Sequence, residues 1–198
     1  MAEAERVFFC AMRVIAGTFR SRPLQAPEGL ATRPTSDRLR ETLFNVLAPR
    51  IEGAVLLDLY AGSGAVGIEA LSRGARQAVF LERAQTAVKV LRGNLERLGL
   101  TAGFQVHAGS TASFLRGPRG GAVEFDVVFL DPPYDAVGEY ETALGLLGGE
   151  SVAFLAKEAM VIAEHRRKQV LETRYGVLKR TRLLEQGDAA LSFYERQL

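Results

Sequence analysis

Between residues 54 and 165, apolar runs too short for helices alternate with stretches whose apolar residues recur at helical spacing, and that alternation leaves few folds open. Residues 54–60 form a nearly continuous apolar run, the pattern of a strand covered on both faces. Glycines follow, then a helix through Ile68 and Leu71. Residues 77–82 predict a second strand, and the helix after it sets Val88, Leu91, Leu95 and Leu98 on one side. A short third strand is predicted over 104–107, a strongly apolar fourth over 125–130, a helix near 140–147 and a fifth strand over 160–165. Repeated βαβ units of this length fold as a parallel sheet with helices on both faces.

The flanks read differently. Before residue 49, extended segments at 13–16 and 24–26 are separated by a turn-like stretch and followed by a helix over 36–47. Leu39, Leu43, Val46 and Leu47 form its buried stripe, with Arg38 and Glu41 opposite. After residue 175, strands at 175–184 and 191–197 surround Gln186-Gly187-Asp188 and predict an antiparallel hairpin closing the sheet edge. The expected fold class is therefore α/β. It has a mostly parallel seven-stranded, Rossmann-like sheet with helices on both faces and a small N-terminal hairpin-helix extension. Residues 1–49 make the extension and residues 50–198 the main domain. Five parallel strands plus a terminal hairpin is also the layout of the class I methyltransferases, which use S-adenosylmethionine; this is a likeness of layout alone.

A chain of 198 residues makes about one domain and hides roughly 70% of its unfolded surface, so it needs no staples. The single Cys10 excludes an internal disulfide framework, and two histidines, His107 and His165, are too few for a His-rich metal site. No metal is expected. No apolar run approaches 18 residues, and the apolar stretch at 7–12 follows Glu3 and Glu5 instead of a basic region, so neither a membrane span nor a signal peptide is read; the expectation is cytoplasmic. Phe8, Phe9 and Cys10 are expected to pack, and His107 to be a partly buried structural histidine. Net charge is only +2, but its distribution is uneven. Arg13, Arg20, Arg22, Arg33, Arg38 and Arg40 face two acids, and a second basic run holds Arg166, Arg167, Lys168, Arg174, Lys179, Arg180 and Arg182. Two basic flanks around a neutral core are the footprint of a nucleic-acid binder, with solvated charged faces as the alternative.

The first strand leads into Asp58-Leu59-Tyr60-Ala61-Gly62-Ser63-Gly64-Ala65-Val66-Gly67, in which Gly62, Gly64 and Gly67 match G-x-G-x-x-G in a strand–turn–helix context. Such glycines let backbone approach a ligand, and Glu82, ending the second strand, can accept from ribose hydroxyls. NAD and S-adenosylmethionine both fit this much. Asp58 favours the second, because a carboxylate repels a pyrophosphate and attracts an ammonium; capping the turn is its structural alternative. Asp58, Tyr60, Ala61, Gly62, Ser63, Gly64, Glu82 and Arg83 are the candidate cofactor residues.

The fourth strand runs into Asp131-Pro132-Pro133-Tyr134, a tetrapeptide type expected by chance from this composition with a probability on the order of 10⁻³. Two prolines fix φ and remove two N–H donors, leaving a stiff turn with outward carbonyls beside a carboxylate and an aromatic ring. That set suits an exocyclic amine on a nucleobase. Asp131 and the Pro132 carbonyl would accept from its two N–H groups and aim the nitrogen lone pair, while Tyr134 stacks on the base.

Asp-Pro-Pro-Tyr is the hallmark of amino-methyltransferases acting on adenine, cytosine or guanine. More narrowly, residues 12–17, 33–45 (Arg-Pro-Thr-Ser-Asp-Arg-Leu-Arg-Glu-Thr-Leu-Phe-Asn), 57–64, 69–75 and the Asp131 tetrapeptide resemble the bacterial 16S rRNA (guanine-966-N2)-methyltransferase family. The likeness runs from Met12 nearly to the C-terminus, and 33–45 is its most specific block. It implies S-adenosylmethionine contacts at Asp58, Gly62, Gly64 and Glu82, a catalytic motif at Asp131–Tyr134, and an N-terminal motif at Arg33, Thr35 and Arg38 beside cofactor and substrate. It also implies a guanine of a small-subunit RNA loop as substrate, on a partly or fully assembled particle. Arg20, Arg22, Arg33, Arg38, Arg166 and Lys168 are the expected RNA contacts, and a monomer is expected. Two departures stand out: residues 1–11 precede the family's Met-Arg start, and Ser110 replaces the Asp or Asn that accepts from the adenine amine. Methylation of adenine N6 or cytosine N4, in RNA or DNA, and a non-catalytic ribosome-assembly binder are the competing readings.

Overall fold

The computed structural model describes residues 12–27, 37–118, 123–133, 136 and 138–197. The readings made on Phe8, Phe9, Cys10, Arg33, Thr35 and Tyr134 lie outside the described residues. The strands are β1 (Val55–Asp58), β2 (Gln77–Glu82), β3 (Phe104–Ala108), β4 (Phe125–Leu130), β5 (Leu155–Arg166), β6 (Arg174–Tyr175), β7 (Leu178–Gln186) and β8 (Ala189–Arg196). They form one sheet of order β3-β2-β1-β4-β5-β8-β7-β6. The first five run parallel and the last three pair antiparallel. The sheet is thus the expected one, widened by the two-residue β6, which is too short to leave a pattern in the sequence.

The terminal hairpin closes the β5 edge of the parallel strands, as expected. Its last strand, β8, lies inside the sheet between β5 and β7. Residues 189–194, Ala-Ala-Leu-Ser-Phe-Tyr, carry no charge and are all buried, as an interior position demands.

The helices are α1 (Asp37–Leu47), α2 (Ala65–Ser72), α3 (Gln85–Arg97), α4 (Thr111–Arg116) and α5 (Gly138–Gly148). β1 shows why its run is continuous. Leu56 packs with α1 and α2 on one face, whereas Val55 and Leu57 pack with α5 on the other. Each such leucine contributes about 1.5–3 kcal/mol by leaving water. Helix α4 has no counterpart among the expected elements: it is six residues long with only Thr111 and Leu115 buried, less than a helical pattern needs.

The N-terminal segment is a small hairpin, bridged at Arg13 and Pro23 and stitched by Ser21 N–H to Val14 O at 2.8 Å and Leu24 N–H to Met12 O at 2.7 Å. It docks through one buried acid. Glu69 of α2 accepts from the amides of Ile15 and Ala16 at 2.7 and 3.0 Å, and from Arg73 Nε at 2.7 Å. Arg40 of α1, fully buried, donates to Arg13 O at 2.6 Å and Asp37 Oδ1 at 2.8 Å and lies 3.9 Å from Glu69 Oε2. Gly17 at the hairpin turn has φ +81°, and a Cβ there would sit 1.8 Å from Ser72 O, so only glycine fits.

Candidate active site

The parallel strands deliver three carboxylates to one edge. Asp58 ends β1 beside Phe129 of β4, and Asp131 follows two residues later on the same face, at the carboxyl edge where α/β sheets bind ligands. Glu82 ends β2 one strand away.

The glycine loop hangs from its surroundings by a run of backbone contacts. Leu59 N–H donates to Phe129 O at 3.0 Å, Ala61 N–H to Leu81 O at 2.9 Å and Gly64 N–H to Ala61 O at 2.7 Å. Gly62 N–H donates to Glu82 Oε2 at 2.9 Å, and Asn94 Nδ2 of α3 donates to Ser63 O at 2.8 Å. The same Asn94 exchanges hydrogen bonds with the backbone of Gln25, at 2.9 and 3.0 Å, so one buried amide ties hairpin, loop and α3 together. Ser63 Oγ donates to Met12 Sδ at 3.6 Å. Gly64 has φ +82°, and a Cβ there would meet Leu91 Cδ1 at 2.2 Å.

Asp58 is buried, and its Oδ1 has no hydrogen-bond partner among the described residues. Burial pushes its pKa up to about 7; the amides of Gly67 and Tyr60 pull it back, and Glu82 adds to the rise. A buried acid with a vacant oxygen fits a bound ammonium, as the methionine end of S-adenosylmethionine would provide. Glu82 also accepts from Ala84 N–H at 2.7 Å, and its carboxylate keeps about two of its four lone-pair sites for ribose hydroxyls.

Other cofactor candidates take more structural places. Tyr60 donates its hydroxyl to Glu139 Oε2 of α5 at 2.7 Å, and burial raises its pKa. Ala61 and Ser63 are buried in the loop, whereas Arg83 is exposed. Ser110 caps α4, its Oγ accepting from Ser113 N–H at 3.3 Å.

Asp131 is half-buried, Pro132 buried and Pro133 exposed. Ala136 N–H donates to Pro133 O at 2.8 Å and closes the turn. The Asp131 carboxyl is held well above the usual carboxylate range, first by burial, then by Glu164 and Asp58.

The basic candidates separate into groups. Arg20 and Arg38 line one cleft of about 430 Å³ with Arg13, Asp37 and Glu41. Arg22 instead donates to Arg97 O at 3.1 Å, at the C-terminal end of α3 and therefore toward the amino edge of the sheet. Arg166 and Lys168 are exposed where β5 ends, beside Asp188, whose carbonyl accepts from Arg167 N–H at 2.8 Å. His107 is exposed on the edge strand β3, its ring 5.2 Å from Phe114; an edge strand has no neighbour to bury it, which overturns the expected partial burial.

Four residues with work in or around the site went unread in the sequence: Arg40, Glu69, Asn94 and Glu164. Glu164 left a signal, an acid inside the apolar run of β5, and so did Arg40, a charge on the stripe of Leu43 and Leu47.

A family model described as Conserved hypothetical protein 95 matches residues 12–195. The chain belongs to this family. Ribosomal RNA small subunit methyltransferase D of Escherichia coli strain K12 is 38% identical over 186 residues, covering 94% of this chain and 90% of that relative. YlbH of Bacillus subtilis strain 168 is 36% identical over 186 residues, covering 94% of this chain and all of YlbH. The solved structure of yhhF from Escherichia coli superposes with a TM-score of 0.79 at 35% identity, over 94% of this chain and 98% of that one. The resemblance read from the motifs and the strand order agree with these matches: this family member is a methyltransferase of the class I fold, a class whose donor is S-adenosylmethionine. No helix among the described residues is long and apolar enough to cross a membrane.

Proposed function

We propose that this protein transfers a methyl group from S-adenosylmethionine to the exocyclic N2 amine of a guanine in 16S rRNA, a site of the guanine-966 type, within a small-subunit particle or an assembly intermediate. The observation that carries this reading is the vacant, buried Asp58 beside the glycine loop with Asp131 one step further along the neighbouring strand. The name of the Escherichia coli relative supports small-subunit rRNA as the substrate class.

When bound, S-adenosylmethionine supplies an electrophilic methyl group. Asp58 holds its ammonium, Glu82 its ribose hydroxyls, and the backbone from Tyr60 to Gly64 lies along it, with Thr35, Arg83 and Ser110 at the rim. Asp131 and the Pro132 carbonyl accept from the two N–H groups of the target amine, which frees and aims a lone pair otherwise delocalised into the ring. Tyr134 stacks on the base. The proton becomes acidic only once the new bond forms, so Asp131 need not be a strong base. Residues 1–49 form a lid on the substrate side of a catalytic domain at 50–198. Arg20, Arg33, Arg38, Arg166 and Lys168 contact phosphates around an unpaired base, which is the cheapest kind to extract. We read the protein as a cytoplasmic monomer.

The test is methyl transfer from labelled S-adenosylmethionine to unmodified small subunits, beside naked 16S rRNA and duplex DNA, with Asp131→Ala as control. Label in one guanine of the subunit, lost in the variant, supports the reading. Label in adenine, or only in DNA, overturns the choice of base or of nucleic acid.

A further inference from the structure

We infer that Glu139, at the start of α5, is a positioning residue for the cofactor: it holds the ring of Tyr60, and with it the stretch of glycine loop that Tyr60 begins. This rests on the cofactor role proposed for that loop.

The loop's own sequence creates the need for such a partner. In Tyr60-Ala61-Gly62-Ser63-Gly64 every residue after the first is small, so Tyr60 is the one long side chain by which a distant element can grip this stretch. Its ring is half-buried and packs on the cluster that includes Leu57, Leu59 and Leu144. Its hydroxyl donates to Glu139 Oε2 at 2.7 Å, across 79 positions of chain. A hydroxyl on a carboxylate at that length is a charge-assisted bond, among the stronger ones a side chain makes. Burial raises the Tyr60 pKa; Thr111 and Arg83 pull it back and Glu139 raises it further, so the hydroxyl keeps its proton and remains a donor at neutral pH.

Both ends of this contact are anchored. Glu139 is half-buried, and its own N–H donates to Ala136 O at 2.9 Å. Thr111 at the start of α4, 3% exposed, donates its hydroxyl to Leu59 O at 3.2 Å, one residue before Tyr60. The starts of α4 and α5 thus converge on Leu59 and Tyr60. Tyr60 in turn reaches the cofactor site through its backbone, because its amide is one of the two that hold the Asp58 carboxylate. The line of contact therefore runs from Glu139 through the phenol and the amide of one residue to the acid that takes the ammonium. Without Glu139 the ring loses its outer anchor and the loop spends only part of its time in the arrangement that fits the cofactor. Apparent affinity falls by that fraction, whereas methyl transfer at Asp131, once the cofactor is bound, proceeds as before.

The test compares wild type, Tyr60→Phe, Glu139→Ala, Glu139→Gln and the double variant of Tyr60→Phe with Glu139→Ala. Calorimetry of S-adenosylmethionine binding without RNA is run beside denaturant unfolding and methyl transfer to unmodified small subunits at varied cofactor. Tyr60→Phe and Glu139→Ala should each weaken cofactor binding about 5–20-fold, and the double variant no more than either alone. Glu139→Gln, which keeps an acceptor oxygen, should stay within about threefold of wild type. The KM for cofactor should rise in step with Kd while kcat stays within about twofold. Unchanged affinity in Tyr60→Phe, losses that multiply in the double variant, or losses that merely follow the unfolding midpoint overturn the proposal. So does a kcat that falls while affinity holds, which would put Glu139 in the service of the Asp131 turn. The expected calorimetric pattern in a protein that methylates no RNA would leave the positioning role standing and remove the function assigned to the site.

Discussion

The two loops that meet at the carboxyl edge are made rigid by opposite means. The glycine loop is intrinsically the loosest stretch a chain can contain. It is fixed from outside, by Leu81, Glu82, Asn94 and Phe129, each holding one backbone group. The Asp131 turn is closed by a local backbone bond from Ala136 to Pro133 and draws its stiffness from its own covalent rings. A loop fixed by distant partners is sensitive to changes tens of residues away. One stiffened by its own prolines owes less of its backbone shape to the rest of the chain. Cofactor binding should therefore be fragile to remote substitution and substrate alignment robust.

The largest effect should come from the substrate side. Asp131→Ala is expected to lower methyl transfer by about 10²–10³-fold while cofactor affinity, read by calorimetry, changes little. A parallel loss of cofactor affinity would mean that the two loops are not independent. Next, Gly64→Ala forces a Cβ into Leu91 at a positive φ and should cost about 1–3 kcal/mol in denaturant unfolding, with cofactor affinity falling alongside. Asn94→Ala leaves the Gln25 and Ser63 backbone groups without their partner. A loss of about 1–3 kcal/mol is expected, together with faster proteolysis within 12–27.

Asp58 links the comparison to pH. Its folded pKa, about 7, lies above the ordinary 3.8, so between these values the folded state keeps a proton that the unfolded chain releases. That contribution is complete below pH 4 and lost as pH rises through 7. Cofactor-free protein should accordingly lose stability over pH 4–7, and Asp58→Asn should flatten that slope. Cofactor affinity should move the other way in wild type, rising through pH 7 as the carboxylate forms. The smallest effect concerns the arginines. Arg20→Ala should reduce the salt slope of RNA binding by about one, whereas Arg22→Ala, already bonded to the end of α3, should leave it unchanged.

The sequence was most readable where burial is decided locally. Residues 77–82 and 125–130 are strands with those same bounds, because an unbroken apolar run admits no other use. Asp58, the glycines, Glu82 and Asp131 were legible because strand ends and turn chemistry place them without reference to the rest of the chain. Arg40 was not. In Arg38-Leu39-Arg40 the first arginine is exposed and the second fully buried; helical spacing sets Arg40 on the stripe of Leu43, Phe44 and Leu47, but nothing within ten residues shows what would pair a buried guanidinium. What buries Arg40 is Glu69 and the Arg13 carbonyl, partners 29 and 27 positions away. The block at 33–45 thus supplies the pair of partly exposed Asp37 with buried Arg40 as well as the Arg38 lining of the cleft. The order within the terminal hairpin was not legible for a related reason: the uncharged run of β8 shows that it is buried, but pairing order is a property of the whole sheet.

The hairpin's anchors also set an order of events during synthesis. Residues 15–25 have nothing to dock on until Glu69, Ser72 and Asn94 have been made. At roughly 5–20 residues per second, the gap of about 70 residues to Asn94 keeps the hairpin waiting on the order of 4–14 s. The segment translated early therefore cannot settle until nearly half of the chain has been made, and its arginines spend that interval as an undocked basic arm on a ribosome built largely of RNA.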